Sequence, residues 1–253
     1  GAFMGFMTGA RVRASLFFSD ASLWRNRIFT HLITEPVPPK DRIHGAAEQS
    51  LRIVRAFGVP TTSNMPRLWV SDETKAKITG MLSEAGIVNH PRWITVNPFS
   101  RWAYKEWGYD KWIAIINCLW DKLKTATVIV GAAGEREKAE YLIRSSRGRV
   151  FNMAGRTTLA ELAGLLSMSR LHLGVDSAAP HIAAAVGAAT VTIYGPTDWR
   201  DWAPVGDKHT VIASRRACAP CYKKGCEGSG QSKCLDDLAI DPVIDVLREA
   251  LQK

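Results

Sequence analysis

Apolar residues are distributed differently in the two parts of this chain. From Trp93 onward, short apolar runs alternate with stretches in which apolar residues recur every three to four positions. The runs Trp93–Asn97, Ala126–Val130, Val150–Asn152, Leu171–Val175, Ala189–Tyr194 and His209–Ile212 predict strands. Leu171–Val175 is apolar nearly throughout, as a strand covered on both faces should be. Helices are predicted over Tyr109–Leu123, Glu135–Ser146, Thr158–Leu166 and Pro180–Val186. Strand and helix alternating at this spacing imply an α/β fold, with a parallel sheet and right-handed crossovers. A last amphipathic helix, Pro242–Leu251, is apolar at Val243, Val246, Leu247 and Ala250.

Before Trp93 the pattern is weaker. Thr8–Arg13 reads as a helix end, a glycine turn and a short strand. Leu23–Ile33, with Trp24, Arg25 and Arg27, reads as loop or partial helix, and Glu35–Pro39 as a breaker. Ile43–Phe57 keeps the helical period and ends at Gly58. Arg67–Ser71 predicts a short strand, and Asp72 the cap of a helix running to about Glu84.

The stretch 171–197 combines strand, polar turn, helix, strand and glycine turn. Asp176 and Ser177 suit a helix N-cap, and Pro180 suits the first turn, where a missing N–H costs nothing. Ile182–Val186 is small and apolar, so the helix can lie close to a sheet, and Gly187 ends it. Two successive strands then deliver two loops, at Asp176 and at Gly195-Pro196-Thr197, to the sheet edge where such folds bind ligands. Unpaired N–H groups and the dipole at a helix start favour an anion. His181 follows Asp176 by five residues. A lone helical histidine is usually a core residue, but this placement favours phosphate or sugar. A carboxylate at a helix start repels phosphate, which assigns Asp176 to sugar hydroxyls and the backbone N–H groups to a diphosphate.

Asp176-Ser177-x-x-x-His181-x-Ala-Ala-Ala, followed by Tyr194-Gly195-Pro196-Thr197, resembles the donor-site signature of glycosyltransferase family 9, the ADP-heptose:lipopolysaccharide heptosyltransferases. Ala178 stands where the family has glycine. The resemblance implies a GT-B-like architecture, with a complete C-terminal Rossmann-like domain and a partial N-terminal one. Residues 1–90 would be the acceptor-side remnant and linker, 91–237 the donor-binding domain, and 238–253 a terminal helix that crosses back. A segment like Gly9-Ala10-x-x-Arg13 lies late in the family's first domain, so most of that domain is expected to be missing.

The implied activity is inverting transfer of heptose or a related sugar from an ADP-sugar to a lipopolysaccharide-type acceptor, with no cofactor required. Lys105 matches the family's phosphate-contacting lysine, and Ser100 and Arg101 fall at positions of hydroxyl contacts. Glu135 matches a ribose-binding glutamate, although a glutamate there also complements a helix dipole. Thr157 falls beside the adenine, next to Thr158 and Glu161, which form a capping box. The family's catalytic base lies in the part not found here, so none is named. Asp20 precedes residue 41 without supporting context. The alternatives are a non-catalytic nucleotide-sugar-binding fragment and a nucleotide-sugar epimerase. A nicotinamide oxidoreductase is disfavoured because no Gly-x-Gly-x-x-Gly follows a strand.

Cys218, Cys221, Cys226 and Cys234 form a separate cluster, around Gly225, Gly228 and Gly230. Four thiolates at this spacing can close around structural zinc or iron; free thiols or adventitious disulfides are the alternative. Cys118 reads as a core thiol. Composition adds little to this picture. The 253 residues are 46% hydrophobic and 23% charged, which is ordinary for a globular chain. A net charge of +9 suits an anionic partner. Charge alone suggests nucleic acid, and none is expected. No run of 18 apolar residues appears, and the first residues lack a signal peptide's charged start. The expected place is the cytoplasm, with the glycolipid acceptor at the inner-membrane surface.

Overall fold

Six parallel strands form where the apolar runs predict them, in a computed structural model that describes residues 2–16, 27–34 and 41–252. Asp20, residues 23–26 and the breaker at 35–39 lie outside the described residues. In chain order the elements begin with α1 (Ala2–Met7), β1 (Ala14–Leu16), β2 (His31–Ile33), α2 (Ala46–Ala56) and α3 (Asp72–Glu84). The alternating part follows as β3 (Trp93–Asn97), α4 (Tyr109–Asp121), β4 (Ala126–Ile129), α5 (Arg136–Ser145), β5 (Val150–Asn152), α6 (Leu159–Met168), β6 (His172–Val175), α7 (Ala178–Ala185) and β7 (Thr190–Tyr194). Then come α8 (Trp199–Trp202), β8 (His209–Ala213), α9 (Lys233–Asp236) and α10 (Asp241–Gln252).

The sheet order is β5-β4-β3-β6-β7-β8. The chain winds outward from β3 to β5, returns to place β6 against β3, and winds out again to β8. The order therefore reverses between β3 and β6, and ligands of open parallel sheets bind beyond the carboxyl ends of the strands at such a point. The four inner strands are buried almost throughout, while the edge strands β5 and β8 are only partly covered. That is why the inner strands read as continuous apolar runs.

Packing, not propensity, holds α4. It carries three isoleucines, each a weaker helix former than alanine by about 0.5 kcal/mol. Yet Trp112, Ile115, Ile116 and Leu119 are fully buried, and each such burial is worth roughly 2 kcal/mol, so burial wins. Val243, Leu247 and Leu251 of α10 join the same cluster. The helix packs on the sheet's core, with Arg170 Nη2 donating to the Leu251 carbonyl at 3.0 Å. On the other face Ile78 and Leu82 of α3 pack with Leu165, Val128 and Val130.

Two local expectations change. Residues 67–71 are not a strand, because they pair with no strand among the described residues; the Leu68 N–H instead bonds the Ala185 carbonyl at the end of α7, at 2.8 Å. Ser71, not Asp72, caps α3, its hydroxyl accepting from the Thr74 N–H. Near the N-terminus the turn at Gly9 is present, with φ at +66°, but the strand begins at Ala14 and pairs in parallel with β2.

Candidate active site

Loops from β3, β6 and β7 meet at the carboxyl edge, where the strand order reverses. Asn97 closes β3 and ties the first two loops together. Its Oδ1 accepts from the Phe99 N–H at 3.1 Å, forming the tight turn that asparagine favours. Its Nδ2 donates to Ser177 Oγ at 3.2 Å. Ser100 Oγ donates to the Asp176 carbonyl at 3.5 Å. The turn that follows brings Lys105 back over the strand ends, its N–H bonded to the Trp102 carbonyl at 2.9 Å.

The centre of the site is an ion pair. Lys105 Nζ lies 2.6 Å from Asp176 Oδ2, and both side chains are largely buried. His181 lies within electrostatic reach of both. Burial lowers its pKa from the usual 6.5, Asp176 opposes that shift, and Lys105 reinforces it. Ser177 is the N-cap of α7, but its side chain caps no N–H group. Ala178 is exposed, so the start of α7 opens outward beside the ion pair. Tyr194, the last residue of β7, is fully buried. Burial, and then Asp176, raise its pKa well above 10, and its hydroxyl has no hydrogen-bond partner among the described residues.

The β4 and β5 loops extend the same edge. Glu135 Oε2 accepts from the Ala132 N–H at 2.6 Å, so one carboxylate oxygen caps its own turn. Gly155 donates from its N–H to the Gly131 carbonyl at 2.9 Å, which sets these two loops back to back. Gly155 has φ +68°, and a Cβ there would lie 2.6 Å from Ala133 Cα, so only glycine fits. Thr157 is half-buried beside this turn. Thr158 and Glu161 form the expected capping box. Glu161 is held down to about 2, first by its bond from Lys77 and then by those from Thr158.

Thr197 is buried, and Gly195 leaves room for Leu235, whose Cγ would lie 2.6 Å from an added Cβ. Arg101 does not join the ion pair; its guanidinium lies over the Trp102 ring, 5.4 Å from the centroid. The structure thus brings Ser100, Lys105, Asp176, Ser177, Ala178 and His181 together around the Lys105–Asp176 pair, with Glu135 and Thr157 on the adjoining loops. Asn97 and Tyr194 belong to the quoted motifs, but neither was assigned a role in the sequence. An asparagine ending a strand before proline is the signal for the first; the second has no local signal.

The cysteine segment does not bear out a metal site. All five cysteines are free thiols. Among the described residues, no three His, Cys, Asp or Glu side chains come close enough to hold a metal ion. The thiols do lie within electrostatic reach of one another. Burial first, and then Cys221, Cys226 and Cys218, push the Cys234 thiol up to about 11.

Residues 1–230 match glycosyltransferase family 9 (heptosyltransferase). The chain belongs to this family. It is 26% identical over 202 residues to lipopolysaccharide heptosyltransferase 3 of Escherichia coli K12, an alignment covering 76% of this chain and 56% of that one. The chain thus spans about half the length of this curated relative. A family 9 glycosyltransferase from Veillonella parvula superposes with a TM-score of 0.75 at 18% identity, covering 99% of this chain and 70% of the other. The E. coli ADP-heptose lipopolysaccharide heptosyltransferase II superposes with a TM-score of 0.72 at 20% identity, covering 99% and 73%. These likenesses establish the α/β, GT-B-like fold of this glycosyltransferase family member. Among the described residues, no helix is long and apolar enough to cross a membrane.

Proposed function

We propose that the cleft binds the diphosphate of an ADP-sugar, and that the protein transfers heptose or a related sugar, with inversion, to a lipopolysaccharide-type acceptor. The observation that carries this reading is the Lys105–Asp176 pair beside His181 and the open start of α7. As the sugar–phosphate bond breaks, negative charge grows on the leaving diphosphate. Lys105 supplies a mobile point charge there, and the first N–H groups of α7 supply fixed donors. Asp176 holds the lysine in place and offers its second oxygen to sugar hydroxyls. Ser100 and Thr197 add hydroxyls to the wall, and Gly195 admits the Leu235 side chain that backs the β7 loop. Glu135 accepts from the ribose with its remaining oxygen, and Thr157 lies beside the adenine.

His181 also lines a small cavity that reaches Gly45, Asn64 and Pro204, so it stands between the donor cleft and the segments of the N-terminal part. In this reading residues 1–90 provide the acceptor side and linker, 91–237 the donor site, and 238–253 the closing helix. The acceptor is a glycolipid met at the cytoplasmic face of the inner membrane. No residue of the chain is assigned as the base that deprotonates the acceptor.

Calorimetric titration tests the nucleotide class. ADP is expected to bind at least about tenfold more tightly than UDP. Equal affinities, or no binding of either, would overturn the reading. Sugar transfer from ADP-heptose then separates a transferase from a module that only holds the donor, and an epimerised ADP-sugar product would mark an epimerase.

A further inference from the structure

The segment 218–235 lies across two of the loops that build the cleft. The N–H groups of Cys221 and Tyr222 both donate to the Pro196 carbonyl, at 3.0 and 2.8 Å. Leu235 fills the space that Gly195 leaves open. Ser232 Oγ donates to the Tyr104 carbonyl at 2.7 Å, which fixes the segment to the turn carrying Lys105. Gly225, with φ +101°, makes the tight return that bonds the Cys226 N–H to the Gln231 carbonyl at 2.7 Å. Lys224 is the residue just before that return.

Its side chain reaches the same indole as Arg101. Lys224 Nζ lies 5.7 Å from the Trp102 ring centroid, and the Arg101 guanidinium 5.4 Å. Tyr104 stacks on Trp102 at 6.0 Å and 25°. The neighbouring acids are engaged elsewhere: Asp176 with Lys105, Glu106 with Lys138, and Glu227 with Lys233. No carboxylate pairs with Arg101 or Lys224 among the described residues. Two cations on one aromatic ring repel each other, and the ring quadrupole offsets that only in part. The turn that holds Trp102 also holds Lys105. Two cations with no carboxylate partner among the described residues therefore lie on the ring of the turn that also carries Lys105. That arrangement is complete when an anion of more than one charge enters.

We propose that Lys224 is a further cationic ligand of the donor diphosphate, delivered by the segment 218–235 and held, like Arg101, on the Trp102 ring. The inference rests on the reading of the cleft as a diphosphate site. Arginine grips phosphate oxygens in pairs and lysine adds a point charge, so the two bind one diphosphate without competing for geometry. Trp102 acts as a positioning residue, since it touches the cations and not the ligand.

Titration of the full chain with ADP and with adenosine tests this. Lys224→Ala is expected to weaken ADP binding about tenfold and leave adenosine binding unchanged, because only the charged contact is lost. Lys224→Arg is expected to retain most of the affinity. Lys223→Ala removes the same charge one residue away and should leave ADP binding as it is. Lys224 is exposed, so its replacement should not move the melting temperature. ADP binding that Lys224→Ala leaves intact, or an equal loss in Lys223→Ala, would overturn this inference alone. A wild-type chain that binds no ADP would overturn the donor-site reading and this inference with it.

Discussion

Lys105→Ala is expected to weaken ADP binding by roughly fiftyfold and to destabilise the fold at the same time. Both effects have one origin. Asp176 is only 8% exposed, and Lys105 is its partner at 2.6 Å. Removing one member of a buried pair leaves an uncompensated charge, which costs about 3–5 kcal/mol when burial is complete. The lysine keeps some exposure, so solvent screening reduces the expected loss to about 2 kcal/mol. The binding loss comes from the missing cation at the diphosphate. A second change separates the two effects. Asp176→Asn in the Lys105→Ala background removes the orphaned carboxylate, so stability should recover while nucleotide affinity stays low. The checks are urea denaturation and calorimetry on wild type, Lys105→Ala and the double variant. ADP affinity within twofold of wild type in Lys105→Ala would sink the assignment of Lys105.

The second large effect concerns acid. His172 lies in the middle of the sheet, fully buried, with Nδ1 3.0 Å from Thr95 Oγ1. Its Nε2 has no partner among the described residues. Burial holds its pKa down to about 3, against 6.5 when free. Below pH 6.5 the unfolded chain takes up a proton here and the folded chain does not. Stability from this residue is therefore full above pH 6.5 and is lost progressively as the pH falls toward 3. Between pH 7 and pH 5 the expected loss is about 2 kcal/mol. His181 and His209, also lowered by burial, add to it with the same sign. Glu161 contributes only at lower pH, since its stabilisation persists above 4.5 and fades toward 2. Urea midpoints between pH 7 and pH 5 read the histidines alone. His172→Gln should flatten much of that slope; an unchanged slope would show that His172 is not the group responsible.

Much of the alternating half was legible in the sequence, for one reason. Strands buried on both faces read as continuous runs, and β3 matches its predicted bounds residue for residue; the edge strand β5 also matches, although it is only partly covered. The grouping of Lys105, Asp176 and His181 was legible through the resemblance of their two motifs to those of the family. Their bonding was not. Lys105 and Asp176 are 71 positions apart, and spacing cannot tell whether a lysine meets a ligand or a carboxylate. Arg67–Ser71 misled because Leu68-Trp69-Val70 has strand-like residues, yet Trp69 is 92% exposed and no strand among the described residues pairs with it. β1 and β2 were hard to place because each is three residues long, too short to show a period. The cysteine spacing suggested a metal, but spacing does not fix how side chains are directed around a loop that bends at Gly225, Gly228 and Gly230, all at positive φ.

The return of the chain from β5 to β6 also bears on how the molecule assembles. β3 with β4, and β6 with β7, join partners close in sequence, whereas Thr95 and His172 on the β3–β6 seam are 77 positions apart. Closing a longer loop costs more chain entropy, and contacts of that reach form slowly. The two halves of the sheet can each become ordered before they join, and the seam between them is the late step. Because Lys105 and Asp176 lie on opposite sides of that seam, their ion pair, and with it the proposed anion site, is completed only when the two halves dock.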